Sequence, residues 1–150
     1  MPETPDRFRD PAKHSMLLTA LYIAQEQYGY LSEEAIERTA TRLGLKPKDV
    51  YSTASFYTMF RTQPLGRYVI QVCEGLSCFL VGGAEPLVDY ISRKLDIQPG
   101  NTTPDGLFTL QTVQCLASCG TSPTLKVNDE LYEDMTQDKV DRLLDQLAGR

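Results

Sequence analysis

The four cysteines of this 150-residue chain form two close pairs, and this spacing constrains the fold more than any other feature of the sequence. Four residues separate Cys73 from Cys78, three separate Cys115 from Cys119, and the 36 residues 79–114 separate the two pairs. Each pair begins where a segment with the composition of a β-strand ends. If those two strands are neighbours in a sheet, their ends bring the two loops together and the four sulfur atoms converge.

Several kinds of site are compatible with this spacing. A [2Fe-2S] cluster needs two thiolates on each iron, which two clustered pairs supply. A structural zinc site with four cysteine ligands normally shows tighter C-x2-C hairpins, so the observed spacing counts against zinc without excluding it. Two disulfides are disfavoured because the chain begins without a secretory signal, and four unrelated buried cysteines are disfavoured by the clustering. Spacing favours the iron-sulfur site and leaves the others open.

The first part of the chain predicts a small all-α module. Residues 1–13 contain three prolines and no apolar periodicity, which is typical of a mobile arm. Apolar residues at helical spacing predict helices over 15–28, 32–43 and 47–60. These three short helices define an N-terminal helical module over 14–66.

The second part of the chain predicts an α/β domain over 67–150. Residues rich in β-branched and aromatic side chains predict strands over 68–72 and 107–113, and a hairpin over 123–133 that turns at Asn128-Asp129. Apolar periodicity predicts a helix that ends near residue 95 and a last helix over 140–147. The order strand, helix, three strands, helix is that of a thioredoxin-like α/β layer.

Charge and motifs exclude several functions. The net charge of -5 arises entirely in residues 67–150, which contain 7 basic and 12 acidic side chains. Such a surface does not bind nucleic acid, which requires clustered Lys and Arg. No apolar run is long enough to span a membrane, which predicts a cytoplasmic chain with no direct membrane insertion. No glycine-rich phosphate-binding motif follows a strand, so we expect any nucleotide to bind elsewhere.

Short motifs that occur in order along the chain resemble the NuoE-type subunit of respiratory complex I. They lie at residues 24–26 (AQE), 29–31 (GYL), 50–57 (VYSTASFY), 70–73 (IQVC), 103–108 (TPDGLF) and 127–129 (VND). The resemblance extends from about residue 14 to residue 148, which is nearly the whole chain. It is therefore far more specific than four cysteines.

The resemblance implies a thioredoxin-like [2Fe-2S] ferredoxin domain behind the helical module. It implies that Cys73 and Cys78 hold one iron, and that Cys115 and Cys119 hold the other. It further implies an electron-transfer subunit of NADH:quinone oxidoreductase that is not catalytic alone. Its cluster would exchange electrons with FMN on a NuoF-like partner that also binds NADH. The resemblance places both in the cytoplasmic peripheral arm of a membrane-bound bacterial complex, together with further peripheral-arm subunits.

Two other functions stay open. Related subunits serve NAD-linked or bifurcating hydrogenases and formate dehydrogenases, and the sequence does not separate these from complex I. A zinc-stabilised binding module is the alternative of another class.

The chain also departs from the family around the second cysteine pair, where Ser118 and Ser122 stand in place of the common Ala. The four cysteines are kept, but the reduction potential cannot be inherited from the resemblance.

Overall fold

The computed structural model describes residues 11–149, which divide into one unit that ends at Pro64 and another that begins at Leu65. The sequence predicts this boundary between residues 66 and 67. Most of the predicted mobile arm over 1–13 lies outside the described residues, and its last three residues begin the first helix. No helix within 11–149 is both long and apolar enough to cross a membrane.

Three helices form the first unit: α1 (Pro11–Tyr28), α2 (Glu33–Leu43) and α3 (Pro47–Phe56). The ends of α2 follow from local chemistry, because the Ser32 side chain accepts a hydrogen bond from the Ala35 N–H at 3.2 Å and Gly44 adopts the left-handed conformation that stops the helix. The core between the helices is made of buried apolar side chains: Leu17, Leu21, Ala24, Leu31, Ile36, Ala40, Val50, Ala54 and Phe60.

Helix α3 ends four residues earlier than the predicted end near residue 60. Beyond Phe56 the chain turns back toward α1, where the Gln25 side chain donates to the Met59 carbonyl at 3.1 Å and accepts from the Arg61 N–H at 2.6 Å. The turn places Phe60 in the core, with its ring 6.5 Å from that of Tyr22. Burial of Phe60 therefore outweighs continuation of the helix.

The second unit contains four strands and three helices. They are β1 (Tyr68–Cys73), α4 (Leu76–Leu80), α5 (Ala84–Leu95), β2 (Phe108–Val113), β3 (Leu125–Val127), β4 (Glu130–Tyr132) and α6 (Gln137–Ala148). The predicted order of strands and helices is confirmed, and α4 is an addition that the sequence pattern did not predict. Helix α4 lies between the two cysteines of the first pair and includes Cys78.

The sheet has the order β2-β1-β3-β4. Strands β1 and β2 are parallel, β1 and β3 antiparallel, and β3 and β4 antiparallel. Because β1 and β2 run in the same direction, the loops that follow them leave the sheet at the same edge. Buried side chains of β1, β2 and β3 pack with α5 and α6 in one core, which includes Ile70, Val72, Ile91, Leu110, Leu125, Val140 and Leu144.

The hairpin between β3 and β4 turns at Asn128, which adopts a positive φ of 53°. Asparagine tolerates this conformation, so the turn forms without the usual glycine. The Asn128 side chain also accepts from the Val69 N–H at 3.0 Å and donates to the Arg67 carbonyl at 3.1 Å. The turn is therefore attached to the start of β1, which fixes the register of β3.

Candidate metal centre

The first cysteine pair lies at the end of β1 and on α4. Cys73 is the last residue of β1, and Cys78 is in the middle of the short helix. Both side chains are buried, and together with Ala84 they form a small cluster against which the partly buried Leu116 packs. Leu116 follows Cys115, so a residue of the second cysteine loop contacts the first.

The second cysteine pair follows β2 and is exposed. Cys115 comes two residues after the end of β2, and its Sγ accepts a hydrogen bond from the Ala117 N–H at 3.3 Å. Cys119 begins a single 3-10 turn that ends at Thr121. All four cysteines are free thiols, and the second pair is open to solvent while the first is not. One side of the site is therefore shielded from solvent, and the other side is open to it.

The parallel register of β1 and β2 sets the two loops beside each other. Cys73 is opposite Val113, and the Glu74 N–H donates to the Val113 carbonyl at 2.9 Å. A Cβ built on Gly75 would lie 3.4 Å from Cys73 Sγ and 3.8 Å from Cys115 Cβ. Gly75 thus occupies the point where the loops meet, and its missing side chain lets the backbone approach one cysteine of each pair closely.

Two hydroxyl groups lie close to the sulfur of Cys78. Its Sγ lies 3.3 Å from Ser122 Oγ and 3.7 Å from Thr124 Oγ1. Burial raises the pKa of the Cys78 thiol, but hydrogen bonds from Ser122, from the Thr124 backbone and hydroxyl, and from Cys73 outweigh burial, so the pKa is lower than usual. This environment stabilises a thiolate, the form that binds metal.

The structure brings Cys73 and Cys78 into contact and sets the Cys115 loop against them, with Cys119 further along that loop. Among residues 11–149, no three Cys, His, Asp or Glu side chains are grouped at metal-binding distance. The donor set nevertheless fits an iron-sulfur cluster, because thiolates are the ligands that such clusters take and Gly75 lets the two cysteine loops approach each other closely.

Two polar residues at the site, Thr124 and Glu133, were not foreseen in the sequence, whereas Ser122 was noted there as a departure from the family. The Glu133 carboxylate accepts hydrogen bonds from the hydroxyls of Ser118 and Thr121, within the second cysteine loop. Glu133 is 12 residues from Thr121 in sequence, and only the fold makes them neighbours. In the sequence, this polar surrounding was indicated only by Ser118 and Ser122, which stand where the family commonly has Ala.

Fold and site together define a small mixed α/β domain that carries four thiols at the ends of two parallel strands and follows an all-α unit in the sequence. The chain belongs to the thioredoxin-like [2Fe-2S] ferredoxin family, whose model matches residues 5–148. The predicted fold class, a thioredoxin-like domain preceded by a helical module, is thereby confirmed.

Related proteins cover nearly all of the chain. An NADH-quinone oxidoreductase subunit of Rhizobium meliloti is 40% identical over 137 residues, which are 91% of this chain and 81% of that protein. NADH-quinone oxidoreductase subunit 2 of Thermus thermophilus is 41% identical over 95% of this chain and 78% of its own length. The resemblance drawn from short motifs is therefore confirmed over almost the full sequence.

A solved structure has the same fold. One chain of an NAD+-reducing [NiFe]-hydrogenase in the air-oxidized state matches 97% of this chain with a TM-score of 0.83 and 25% sequence identity. The chain spans about a quarter of that hydrogenase chain, 24% of its length. The match therefore relates this chain to one part of a larger protein.

Proposed function

We propose that Cys73, Cys78, Cys115 and Cys119 hold one [2Fe-2S] cluster, with the first pair on one iron and the second pair on the other. Membership of the family supports the cluster, and four free thiols on two adjoining loops support the ligand set. The observation that carries the proposal is the position of Gly75, next to Cys73 Sγ and Cys115 Cβ at once. When bound, the cluster supplies one-electron transfer.

In this proposal the chain itself supplies thiolates in an asymmetric environment. The buried Cys73 and Cys78 exclude water from one side, whereas Cys115 and Cys119 are exposed on the other. Burial and solvent exposure are among the factors that set the reduction potential of such a cluster. No group of the chain is required to abstract a proton or attack a substrate, so the cysteines act as ligands and not as nucleophiles.

The function that these features support best is that of an electron-transfer subunit of NADH:quinone oxidoreductase. The related proteins are named as subunits of that enzyme and match most of the chain. The sequence lacks a dinucleotide-binding motif, so NADH and FMN bind to a flavin-bearing, NuoF-like partner. The chain is then not catalytic alone, and it works in the cytoplasmic peripheral arm of the complex with further subunits.

The surface of α4 is the place where we expect the flavin-bearing partner to bind. Four large apolar side chains on and after this helix are exposed: Leu76 by 73%, Phe79 by 60%, Leu80 by 72% and Val81 by 59%. No charged residue occurs in 75–84, and Glu74 and Glu85 bracket the segment. An exposed apolar patch of this kind marks an interaction site.

Position and charge together support the flavin-bearing partner as the occupant of the α4 surface. Cys78 belongs to the same helix, so a protein that covers this surface approaches the cluster closely, as electron transfer requires. Residues 67–150 carry a net charge of -5, from 7 basic and 12 acidic side chains. The complementary partner surface is an apolar area with a basic rim, because opposite charge at the rim steers association.

The cluster is tested on protein purified without oxygen. We expect a coloured protein with two irons and two acid-labile sulfides per chain, and an EPR signal after reduction. Cys73→Ser, Cys78→Ser, Cys115→Ser and Cys119→Ser each remove or alter that signal, whereas Ser77→Ala, a small change within α4, preserves it. A colourless, EPR-silent protein with one tightly held zinc would refute the cluster and favour the zinc-stabilised module.

The binding surface is tested separately, by the affinity of the loaded protein for the isolated flavin-bearing subunit. Phe79→Ser with Leu80→Ser weakens binding about tenfold or more, because each removes an apolar anchor. Leu131→Ser is the matched control, since Leu131 is also an exposed leucine, at 42%, but lies on β4. Equal affinities for the control and the double variant would exclude the α4 surface.

A second candidate function is the equivalent subunit of an NAD-linked hydrogenase. The observation that favours it is the match to the NAD+-reducing [NiFe]-hydrogenase over 97% of this chain. Both functions require the same cluster and the same flavin-bearing neighbour, so no residue of this chain separates them. Identification of the subunits that co-purify with the chain decides between them: quinone-reducing membrane subunits support the first function and a [NiFe] subunit supports the second.

A further inference from the structure

Thr124 contacts both cysteines of the first pair. Its carbonyl oxygen accepts a hydrogen bond from the Cys73 N–H at 3.1 Å. Its hydroxyl oxygen lies 3.7 Å from that same sulfur. Thr124 is only 1% exposed, so water cannot satisfy the hydroxyl. The Cys78 sulfur is the hydrogen-bond partner that lies within reach of the Thr124 hydroxyl.

Ser122 approaches the same sulfur from the end of the second cysteine loop. Its Oγ lies 3.3 Å from Cys78 Sγ and 3.2 Å from the Cys119 carbonyl oxygen. With Cys78 as a thiol, the S–H donates to Ser122 and the Ser122 hydroxyl donates to Cys119. A thiolate ligand has no proton and only accepts hydrogen bonds. The Ser122 hydroxyl then donates to the Cys78 sulfur instead of to the Cys119 carbonyl.

We propose that Thr124, together with Ser122, raises the reduction potential of the cluster by donating hydrogen bonds to Cys78 Sγ. The inference rests on the proposed function, because it requires that Cys78 is a cluster ligand. Reduction adds one electron and makes the ligand sulfurs more negative. A donor hydrogen-bonded to such a sulfur stabilises the reduced form more than the oxidised form. Thr124 and Ser122 are thus positioning residues that act through Cys78.

Burial makes this effect specific to the first pair. Around Cys115 and Cys119, which are exposed, water replaces any hydroxyl donor that a substitution removes. Around Cys78, which is 2% exposed, a lost donor has no replacement. Removal of the Thr124 hydroxyl is therefore expected to shift the potential, and restoration of a hydroxyl at this position is expected to reverse the shift.

The experiment is a potentiometric titration of the whole loaded chain, followed by EPR. Thr124→Val replaces the hydroxyl with a methyl group of similar size, Ser122→Ala removes the second donor, and Thr124→Ser restores the first. Thr109→Val is the matched control: Thr109 is also a buried threonine, but it lies four residues before Val113 on β2, about 13 Å away along the strand. Its hydroxyl binds the Gly66 N–H.

We expect the potential to become more negative in Thr124→Val and in Ser122→Ala, and further in the double variant. Thr124→Ser and Thr109→Val stay at the wild-type value. Wild-type potentials in both loaded Thr124→Val and Ser122→Ala would overturn the inference while the cluster itself stands. If Thr124→Val does not incorporate the cluster, the potential of Ser122→Ala alone tests the inference. A wild-type chain without a [2Fe-2S] cluster refutes the proposed function, and this inference with it.

Discussion

Gly83 packs against Pro123 so closely that no side chain fits between them: a Cβ on Gly83 would lie 2.6 Å from Pro123 Cβ. Gly83 precedes α5, and Pro123 lies between the two residues that contact Cys78. We expect Gly83→Ala to lower the free energy of unfolding of the metal-free protein by about 1–3 kcal/mol, the usual cost of overpacking. Denaturant titration measures this difference.

Gly120→Ala is the control for this glycine. A Cβ at Gly120 would meet no heavy atom within 4 Å, and the backbone there does not adopt a positive φ. The expected change is within about 0.5 kcal/mol, as for ordinary surface substitutions. If the two alanine variants lose the same stability, close packing against Pro123 is not the reason that position 83 is a glycine.

Gly75→Ala is expected to impair assembly of the cluster more than folding of the chain. Its Cβ would stand 3.1 Å from the Gln114 carbonyl oxygen and 3.4 Å from Cys73 Sγ, so the two cysteine loops must separate slightly. We predict a lower iron content after reconstitution and a near-normal melting temperature of the metal-free form. Gly120→Ala, in the other loop, serves again as the control, and full iron content in Gly75→Ala would contradict the prediction.

Much of the second unit could be predicted because its strands have strong local signals. The alternation and β-branched content of residues 68–72 located β1 within one residue, and Asn128-Asp129 located the hairpin turn. Because both cysteine pairs follow strands, the contact between their loops was also predictable. It depended only on β1 and β2 being parallel neighbours, which the register confirms.

What the sequence did not reveal depends on contacts between distant residues. Helix α4 has only five residues, too few to show a periodic pattern. The approach of Thr124 to Cys78 arises because β3 pairs with β1, which joins residues 46 positions apart. The early end of α3 buries Phe60 and is accompanied by hydrogen bonds between Gln25 and the turn that follows the helix. None of these has a local signature.

Substitution of Phe60 is predicted to destabilise the fold strongly, and substitution of Phe56 is predicted to have almost no effect on stability. Phe60 is 7% exposed and belongs to the core of the first unit, so Phe60→Ala costs about 3–5 kcal/mol of folding free energy. Phe56 is 77% exposed, so Phe56→Ala changes that free energy by no more than about 0.5 kcal/mol. Urea denaturation of both variants tests this, and a large loss in Phe56→Ala would show that its ring stabilises the fold despite its exposure.

Glu133 is predicted to make the stability of the metal-free protein depend on pH. Hydrogen bonds from the hydroxyls of Ser118 and Thr121 hold the pKa of its carboxyl below the ordinary 4.5. Since the folded protein prefers the ionised form, the stabilisation is complete well above pH 4.5 and is lost as the pH falls through the lowered pKa. The difference in unfolding free energy between wild type and Glu133→Gln is therefore largest at neutral pH and shrinks in acid.

A double-mutant cycle shows whether this dependence arises from the two hydroxyls. In a chain that already carries Ser118→Ala and Thr121→Val, Glu133 has lost both donors, so Glu133→Gln should add no further pH dependence as the pH falls from neutral into acid. The two substitutions do not touch the backbone contact of this segment, in which the Asp134 N–H donates to the Thr121 carbonyl at 2.8 Å. An undiminished effect of Glu133→Gln in that background would assign the pH dependence to another group. The cycle thus tests whether the carboxylate of Glu133 holds the loop that carries Cys119.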